Sequence, residues 1–376
     1  MARLTRAQQQ ERTRAAVLVA ARQEFAEFGY AEAKVDRIAE RAELTRGAVY
    51  SNFTGKRALY LAVLVDGVER ARDAAEPPAE PPASAGQALG SFARVWLERL
   101  PFLGDTPGSG HLQVRSLSGV LGSEPARTAL AELVRFEALL LALALEPHPA
   151  GAAPSPGAVR RAGLALTLLR GAAAVAENAP GTGDPFDLAR AAEHLADTAL
   201  GDDPEPPHLP YVAPARPAEA PWAPPGGLRD EVTGRPVDLG DDGVVVVLGT
   251  GRLSAAEDAL RSAGPDDEVT VVVVTGDPAE TGRLARLRIV DLAACLRRTF
   301  PPDRLPRVRV VLDDAGTVPT ALGQPPADSA ETAVRIRGGL VTARATTAPR
   351  SPSAAPGCAP CWPRWRCARA APCPPS

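Results

Sequence analysis

The apolar positions between Val35 and Phe53 predict two short helices joined by a tight turn at Glu43–Leu44. In the first helix the apolar residues recur at i, i+3, i+4 and i+7, so one face is apolar and the other is charged. Thr45 is the expected N-cap of the second helix, because its hydroxyl can accept a backbone N–H of the first turn. The inward side chains of that helix are expected to be Leu44, Ala48, Val49 and Phe53. Two helices in this arrangement predict a helix-turn-helix.

The same periodicity predicts helices on both sides of this pair. A first helix is expected over about Gln8–Phe28, ended by Gly29, and another over about Arg57–Asp73. The proline-rich run Glu76–Ala83 marks a boundary, because proline cannot continue a helix. Four further helices are predicted at about Gln87–Leu100, Pro125–Leu145, Val159–Asn178 and Pro185–Leu200.

The pattern changes in the last third of the chain. Residues 201–227 are rich in Pro, Ala and acidic residues and are interpreted as a semi-rigid linker between domains. Short β-branched runs then predict buried strands at Val244–Leu248, Val269–Val274 and Val308–Leu312. Helices are expected between them at Ser254–Ser262 and Glu280–Arg298, and a closing hairpin around Gly338–Gly339.

Charge and cysteine content narrow the class of protein. The 376-residue chain has a net charge of −3, yet residues 1–57 hold 11 Lys/Arg against 7 Asp/Glu. A basic amino-terminal module on an acidic body is expected of a local DNA reader. Of five cysteines, Cys295 alone lies in a segment expected to fold, which favours a reducing cytoplasm. No signal core or apolar run of transmembrane length is seen, so we expect a soluble cytoplasmic protein with no membrane contact.

The stretch Arg12–Leu64 resembles the DNA-binding domain of TetR-type transcriptional regulators. The resemblance is carried, in order, by F-A-E-F-G-Y, I-A-E-R-A, T-R-G-A-V-Y-S-N-F and G-K-R-A-L-Y. Two positions depart from the family pattern: Lys34 replaces the usual Ser/Thr cap, and Glu43 replaces the usual turn glycine. The residues that the resemblance places on DNA are Thr45, Arg46, Gly47, Ala48, Tyr50, Ser51, Asn52 and Lys56. The alternative is a three-helix packing module that binds no nucleic acid.

The resemblance also implies an all-helical domain at residues 84–200 that binds a small-molecule effector and dimerises. Its last two predicted helices would pair with their copies in a second subunit; alternatively, their leucines close the core of a single chain. The large side chains Phe92, Trp96, His111 and Phe136 are candidate pocket residues, since such side chains line most ligand cavities. The favoured alternative is that each of them is an ordinary core residue.

The predicted order of strands and helices is accompanied by G-R-P-V-D-L-G-D at Gly234–Asp241, L-D-D-A-G-T-V at Leu312–Val318 and T-A-V-R-I-R-G-G-L-V-T-A-R at Thr332–Arg344. With these motifs, residues 228–346 are loosely similar to thioredoxin-like domains, in particular the carboxy-terminal domain of flavin-dependent aromatic hydroxylases. No cysteine lies near the first helix, and Cys295 is expected to pack as a small hydrophobe. The G-T-G at Gly249–Gly251 lacks the third glycine of a dinucleotide fingerprint, because Ser254 stands there. We therefore expect a binding, dimerising or structural unit. The alternatives are an enzyme or cofactor-binding protein whose activity lies in this segment, and a fusion remnant.

The last residues, 347–376, hold four cysteines, Cys358, Cys361, Cys367 and Cys373, among Pro, Ala, Arg and Trp. A zinc or redox motif is one interpretation; a disordered or spurious tail is favoured, because the second pair is not C-x-x-C and no histidine is near. The sequence thus predicts a mainly α fold followed by a small α/β thioredoxin-like domain, with a helix-turn-helix domain at residues 1–75. We expect a homodimeric, ligand-responsive repressor that binds a palindromic operator, with no enzyme activity, metal or cofactor.

Overall fold

The computed structural model describes residues 5–105, 112–146, 154–200, 215–264 and 267–346. The chain divides into two compact units, and their bounds cross the predicted domains. The first unit comprises Met1–Arg127, Leu164–Asp197 and Asp277–Thr299. The second comprises Thr128–Gly163, Thr198–Gly276 and Phe300–Ser376. The predicted domain bounds therefore stay predictions, and each unit is described by itself.

The first unit begins with four helices that agree closely with the sequence prediction: α1 Arg6–Glu32, α2 Val35–Arg41, α3 Arg46–Asn52 and α4 Lys56–Asp73. Thr5 and Gln8 form a capping box at the start of α1. Gly29 leaves the helical conformation at φ 65°, so the predicted break lies there, although helical residues continue to Glu32. The core between α1 and α4 is aromatic: the rings of Phe25 and Tyr60 meet edge to face at 4.8 Å.

The next helices are α5 Ala85–Leu97, α6 Glu124–Leu145, α7 Pro156–Asn178 and α8 Pro185–Leu195. The division between the units falls inside α6 and α7. Helix α8 ends five residues before the predicted end at Leu200. Its carboxy-terminal part packs on α5 where glycine permits a close approach: a Cβ at Gly90 would lie 3.2 Å from Glu193 Oε2. Among the described residues, no helix has the length and apolar character needed to span a membrane.

The second unit is built on a six-stranded mixed sheet in the order β1-β8-β7-β4-β5-β6. Its strands are β1 Arg216–Pro221, β4 Gly243–Gly249, β5 Val269–Val274, β6 Arg309–Leu312, β7 Glu331–Arg337 and β8 Leu340–Thr346. Strands β4, β5 and β6 are parallel to one another. The neighbouring pairs β4–β7, β7–β8 and β8–β1 are antiparallel. A small second sheet joins β2 Leu228–Arg229 to β3 Pro236–Val237. The three predicted valine-rich strands and the hairpin at Gly338–Gly339 are confirmed.

The predicted linker needs a correction in its second half. Arg216–Pro221 is not a free connection but the edge strand β1, paired with β8. Trp222 follows it into the core, where its Nε1 donates to the carbonyl of Leu239 at 2.7 Å. Proline is tolerated here because an edge strand leaves one row of N–H groups unpaired. Residues 201–214, the first half of the predicted linker, lie outside the described residues.

The helix predicted at Glu280–Arg298 is formed as α10, Arg283–Thr299, after a π-helical turn at Pro278–Gly282. The other helices of the carboxy-terminal segment, α9 Ala255–Ser262 and α11 Thr317–Ala321, belong to the second unit. Helix α10 instead belongs to the first unit, where it contacts α4 and α5. The carboxy-terminal segment therefore supplies a helix to the unit that contains the helix-turn-helix.

Candidate nucleic-acid interface

The helix-turn-helix forms as the sequence predicts. Thr45 caps α3 by accepting the backbone N–H of Ala48 at its hydroxyl, at 3.2 Å. Val49 and Phe53 are buried beneath α3, at 1 % and 2 % exposure. The inward side of α3 thus fixes the helix on the domain core and leaves the opposite side in solvent.

The first unusual position, Lys34, is compensated from another helix. Lys34 precedes α2 and makes no side-chain cap. The fully buried carboxylate of Glu24 on α1 instead accepts the backbone N–H of Lys34 at 2.9 Å and Nε of Arg37 at 2.6 Å. Burial alone would raise the pKa of Glu24, but Arg37 and the Lys34 N–H hold it below its ordinary value. Glu24 thus accepts a backbone N–H at the start of α2 in place of a side-chain cap.

The second unusual position, Glu43, carries a conformational cost. Its φ is 54°, in the left-handed region that glycine adopts without penalty. The turn is closed by backbone hydrogen bonds from Glu43 N to Glu40 O at 3.0 Å and from Leu44 N to Ala39 O at 2.9 Å. The turn therefore keeps its geometry with a side chain present, at a strain cost of about 1–2 kcal/mol.

The outward face of α3 presents a cation, an aromatic ring and small polar groups. Arg46 and Tyr50 are exposed, at 62 % of the Arg46 side chain and 42 % of Tyr50. The Arg46 guanidinium lies 5.5 Å from the centre of the Tyr50 ring and 3.3 Å from the Asp36 carboxylate. An exposed arginine can read guanine edges, and a neighbouring phenol or hydroxyl can bind phosphate.

The remaining predicted contact residues of α3 differ in how available their polar atoms are. Gly47 is exposed and Ala48 is half-buried. The Ser51 hydroxyl and the Asn52 amide both donate to the carbonyl of Ala48, each at 2.9 Å. The Asn52 amide also donates to the Ser51 hydroxyl oxygen at 3.3 Å, so these polar hydrogen atoms are engaged within the helix. The seven predicted positions lie together on α3 and its N-cap. Exposed among them are Thr45, Arg46, Gly47, Tyr50 and Ser51.

Lys56, the predicted contact beyond α3, turns back onto the domain. Its ammonium group donates to the carbonyl of Ala31 at 2.9 Å and lies 4.9 Å from the centre of the Tyr30 ring. Partial burial lowers its pKa, against the pull of Glu32 and Glu24. A phosphate beside the start of α4 would have to draw Lys56 away from Ala31.

Contacts from the carboxy-terminal segment to this domain were not predicted from the sequence. Arg283 at the start of α10 donates to the carbonyl of Ala58 on α4 at 2.8 Å. Its guanidinium also lies 5.6 Å from the centre of the Phe53 ring, directly after α3. Arg57 forms an ion pair with Glu280 at 3.0 Å. These partners are more than 200 residues apart in sequence, so no local pattern could have indicated them.

The predicted effector-pocket residues are distributed over the two units and the part of the chain that the structure does not describe. Phe92 and Trp96 are buried neighbours on α5, with ring centres 6.2 Å apart. Phe136 is buried in the second unit, and His111 lies outside the described residues. The pocket assignment for these four residues therefore stays a prediction.

The residues named for the alternative chemistries have the following surroundings in the described part of the chain. Cys295 is buried, and burial raises the pKa of its thiol to about 11, so a thiolate is disfavoured at neutral pH. The G-T-G turn has a structural reason: a Cβ at Gly249 would lie 2.3 Å from the carbonyl oxygens of Ala327 and Asp328. Within the described ranges, no three His, Cys, Asp or Glu residues are grouped to hold a metal. The four tail cysteines lie outside those ranges.

A comparison with protein families confirms the sequence-based recognition. Residues 17–63 match the family described as bacterial regulatory proteins, tetR family. The matched range extends from α1 through α2 and α3 into α4, so it contains the whole helix-turn-helix. No curated protein matches the chain. The thioredoxin-like resemblance of the carboxy-terminal segment stays a prediction.

Three solved structures are similar over about half of the chain. A TetR transcriptional regulator from Rhodococcus sp. RHA1 is 20 % identical, with a TM-score of 0.33, covering 50 % of this chain and 95 % of its own. RolR in complex with resorcinol is 23 % identical, with a TM-score of 0.30 and coverages of 52 % and 92 %. A second Rhodococcus sp. Rha1 regulator is 21 % identical, with a TM-score of 0.32 and coverages of 49 % and 94 %.

Proposed function

From the TetR-type DNA-binding domain at residues 17–63, we propose that this chain is a transcriptional regulator that binds operator DNA through α3. The observation that carries the proposal is the exposed face of α3, with Arg46 and Tyr50 in solvent above the buried Val49 and Phe53. A capped helix with one buried and one polar exposed face fits the major groove.

The functional form is a homodimer on a palindromic operator. A seven-residue helix such as α3 contacts only a few base pairs, and two copies on adjacent major grooves double the reading surface. Half-sites are then expected about 34–36 Å apart, one helical turn of DNA. Exposed apolar side chains on α7 support an association surface: Leu164 and Val175 are 44 % and 51 % exposed.

Regulation requires a second arrangement of the helix-turn-helix. We propose that a small-molecule effector binds the helical part and shifts α4, which follows α3 directly, so that the two helix-turn-helix domains of the dimer no longer match the half-sites. Such a shift is a change of population between two arrangements, and the effector must favour one of them. The expected outcome is release of DNA, so the protein acts as a repressor.

The operator can be found by selecting DNA with the full-length chain. Genomic fragments retained by the purified protein are sequenced, and the enriched sites are aligned. We expect a two-fold symmetric sequence with half-sites one helical turn apart. Retention of all fragments in proportion to their length would contradict specific recognition.

Two variants distinguish the exposed face of α3 from positive charge elsewhere on the surface. Tyr50→Ala removes the exposed ring beside Arg46, whereas Arg94→Ala removes an exposed cation on α5. We expect Tyr50→Ala to weaken enrichment of the symmetric sites and Arg94→Ala to leave it unchanged. The dimer is checked independently by sedimentation, where a monomer at every concentration would refute the homodimer.

A further inference from the structure

The short connection between α3 and α4 has no side-chain cap of its own. Phe53 is the C-cap residue of α3, and Thr54 and Gly55 lead directly into α4. Gly55, the N-cap residue of α4, makes no side-chain capping hydrogen bond. Capping contacts fix the angle at which a chain enters a helix. The angle between α3 and α4 therefore depends on contacts from other elements of the fold.

One guanidinium group of the carboxy-terminal segment contacts both sides of this connection. Arg283 Nη1 donates to the carbonyl of Ala58, in the first turn of α4, at 2.8 Å. The same guanidinium lies 5.6 Å from the centre of the Phe53 ring, within the range of a cation–π contact. Phe53 is 2 % exposed, so its ring has little room to move away. Arg283 thus joins the end of α3 to the start of α4.

The π-helical turn before α10 holds Arg283 and adds a second contact to α4. Arg283 Nη1 also donates to the carbonyl of Ala279 in this turn, at 3.0 Å. Asp277 caps the turn by accepting the backbone N–H of Glu280 at 3.2 Å. Glu280 in its place forms an ion pair with Arg57, in the first turn of α4, at 3.0 Å. Single π-helical turns are rare and are frequent at functional sites.

Helix α10 gives these two side chains a fixed base. Its apolar side chains Leu284, Leu287 and Val290 are each at most 2 % exposed. At its other end, Arg298 forms an ion pair with Glu98, directly after α5, at 2.6 Å. Side chains on a packed helix are held more precisely than side chains on a loop. The start of α10 is therefore suited to hold the α3–α4 connection in one geometry.

We propose that Arg283 and Glu280 are positioning residues for operator recognition: they hold the α3–α4 connection and so fix the orientation of α3 in the major groove. Both charged groups contact α4, so their role is exerted through α3 and not on the DNA. Base readout needs a helix whose side chains meet the base edges in register. This role in recognition rests on the proposed function, whereas the hold on α3 rests on the contacts alone.

The test measures how strongly the full-length chain prefers its operator. Fluorescence anisotropy gives the affinity for the selected operator and for a scrambled duplex of the same length, and a change in the folded fraction cancels in their ratio. We expect Arg283→Ala to lower this ratio roughly ten- to a hundred-fold, the loss that one or two mismatched base contacts cause. Affinity for the scrambled duplex should stay the same, because the phosphate contacts of other residues remain.

Glu280→Gln separates positioning from charge. Removing an acidic side chain from the DNA-binding domain would, by electrostatics alone, strengthen binding to both duplexes. A positioning role predicts instead that the preference for the operator falls. The matched control is Arg298→Ala, which removes another ion pair of α10, at the end far from α3. This control should keep the wild-type ratio.

Amide hydrogen exchange in the free protein tests the hold on α3 without DNA. Local opening of a helix raises exchange in that helix alone, whereas general loss of stability raises it throughout the fold. We expect Arg283→Ala to raise exchange in residues 46–53 and to leave that of β4 unchanged. Arg298→Ala should leave α3 as protected as in the wild-type chain.

The outcomes are separable. An operator preference that is unchanged in Arg283→Ala and Glu280→Gln would overturn the proposal, and so would unchanged exchange of α3 in Arg283→Ala. Equal loss of both affinities with a weaker dependence on salt would make Arg283 a phosphate contact, which also contradicts a positioning role. A wild-type chain without preference for any operator would refute the proposed function, and the exchange measurement would still decide whether Arg283 holds α3.

Discussion

Helices α3 and α10 carry charged side chains in opposite surroundings. On α3, the Arg46 side chain is 62 % exposed, and its ion pair with Asp36 is shared with solvent. On α10, Asp291 is 5 % exposed and contacts two guanidinium groups. A charge on α3 is free to meet a macromolecule, whereas a charge on α10 must be satisfied inside the fold. The same residue types are therefore available to DNA in one helix and form ion pairs within the fold in the other.

Helix α10, from the carboxy-terminal segment, also contacts α4, which follows α3 in sequence. Helix α3 is held from beneath by apolar side chains, and α4 continues directly from it. Helix α10 contacts α4 through Arg283 and Arg286. The helix that carries Asp291 therefore contacts the helix that follows α3. If buried charge on α10 contributed no more to the free energy of unfolding than exposed charge does, the two helices would not differ in this respect.

The largest effect is expected for Asp291→Asn. Removing the carboxylate charge takes the shared ion-pair partner from the guanidinium groups of Arg99 and Arg115, which should lower the free energy of unfolding by about 3–5 kcal/mol. Urea denaturation measures the change. The matched control is Glu98→Gln, because Glu98 also joins α5 to α10, through Arg298 at 2.6 Å, but is 56 % exposed. The control should cost at most about 1 kcal/mol, and equal effects would contradict the distinction between the helices.

The next effect concerns the replacement cap of α2. Glu24→Gln should lower the free energy of unfolding by about 1–3 kcal/mol at pH 7, because the buried carboxylate accepts from Lys34 N–H and Arg37. The pKa of Glu24 is below its ordinary 4.5 in the fold, so this stability is complete above pH 4.5 and is lost as pH falls. Thermal unfolding of both proteins at several pH values should show the gap closing in acid.

The control for Glu24→Gln is Glu27→Gln. Glu27 also pairs with Arg41, but its side chain is 54 % exposed. Its loss should change Tm little at any pH. A gap between wild type and Glu24→Gln that is independent of pH would show that packing, and not the charge of Glu24, supports α2.

The smallest effect is expected in the turn. Glu43→Gly should raise the free energy of unfolding by about 0.5–1 kcal/mol, because relief of left-handed strain outweighs the added freedom of the unfolded chain. Glu43→Ala removes the same carboxylate but keeps the Cβ, so it should give no gain. If both variants were equally stabilised, charge rather than backbone conformation would be responsible. Chemical denaturation distinguishes the two.

Local patterns were sufficient for the helix-turn-helix and for the three valine-rich strands of the sheet. The period of apolar residues predicted α2 and α3, the Thr45 cap follows from residue type, and valine-rich runs marked β4, β5 and β6. Each of these features depends on neighbours within a few residues. The two departures, Lys34 and Glu43, were also visible from the sequence, and Glu43 has a positive φ of 54° in the turn.

Features that depend on distant partners were missed. Glu24 acts as a cap across ten residues, β1 lies at the sheet edge because β8 pairs with it, and Arg283 contacts Ala58 across 225 residues. Asp291 on α10 likewise forms ion pairs with Arg99 and Arg115, which are distant from it in sequence. Nothing in the local sequence of Arg99 or Asp291 distinguishes them from solvated charges, so only the fold shows that they are buried together.

The central claim, that the exposed face of α3 reads operator DNA, is tested most directly by fluorescence anisotropy with the selected operator and its single-base variants. Arg46→Ala should lose about 1–3 kcal/mol at one base position per half-site and no longer discriminate there. Lys56→Ala should weaken binding to all variants alike and reduce the dependence on salt. If Arg46→Ala kept the wild-type affinity and the full base profile, α3 would not be the reading helix.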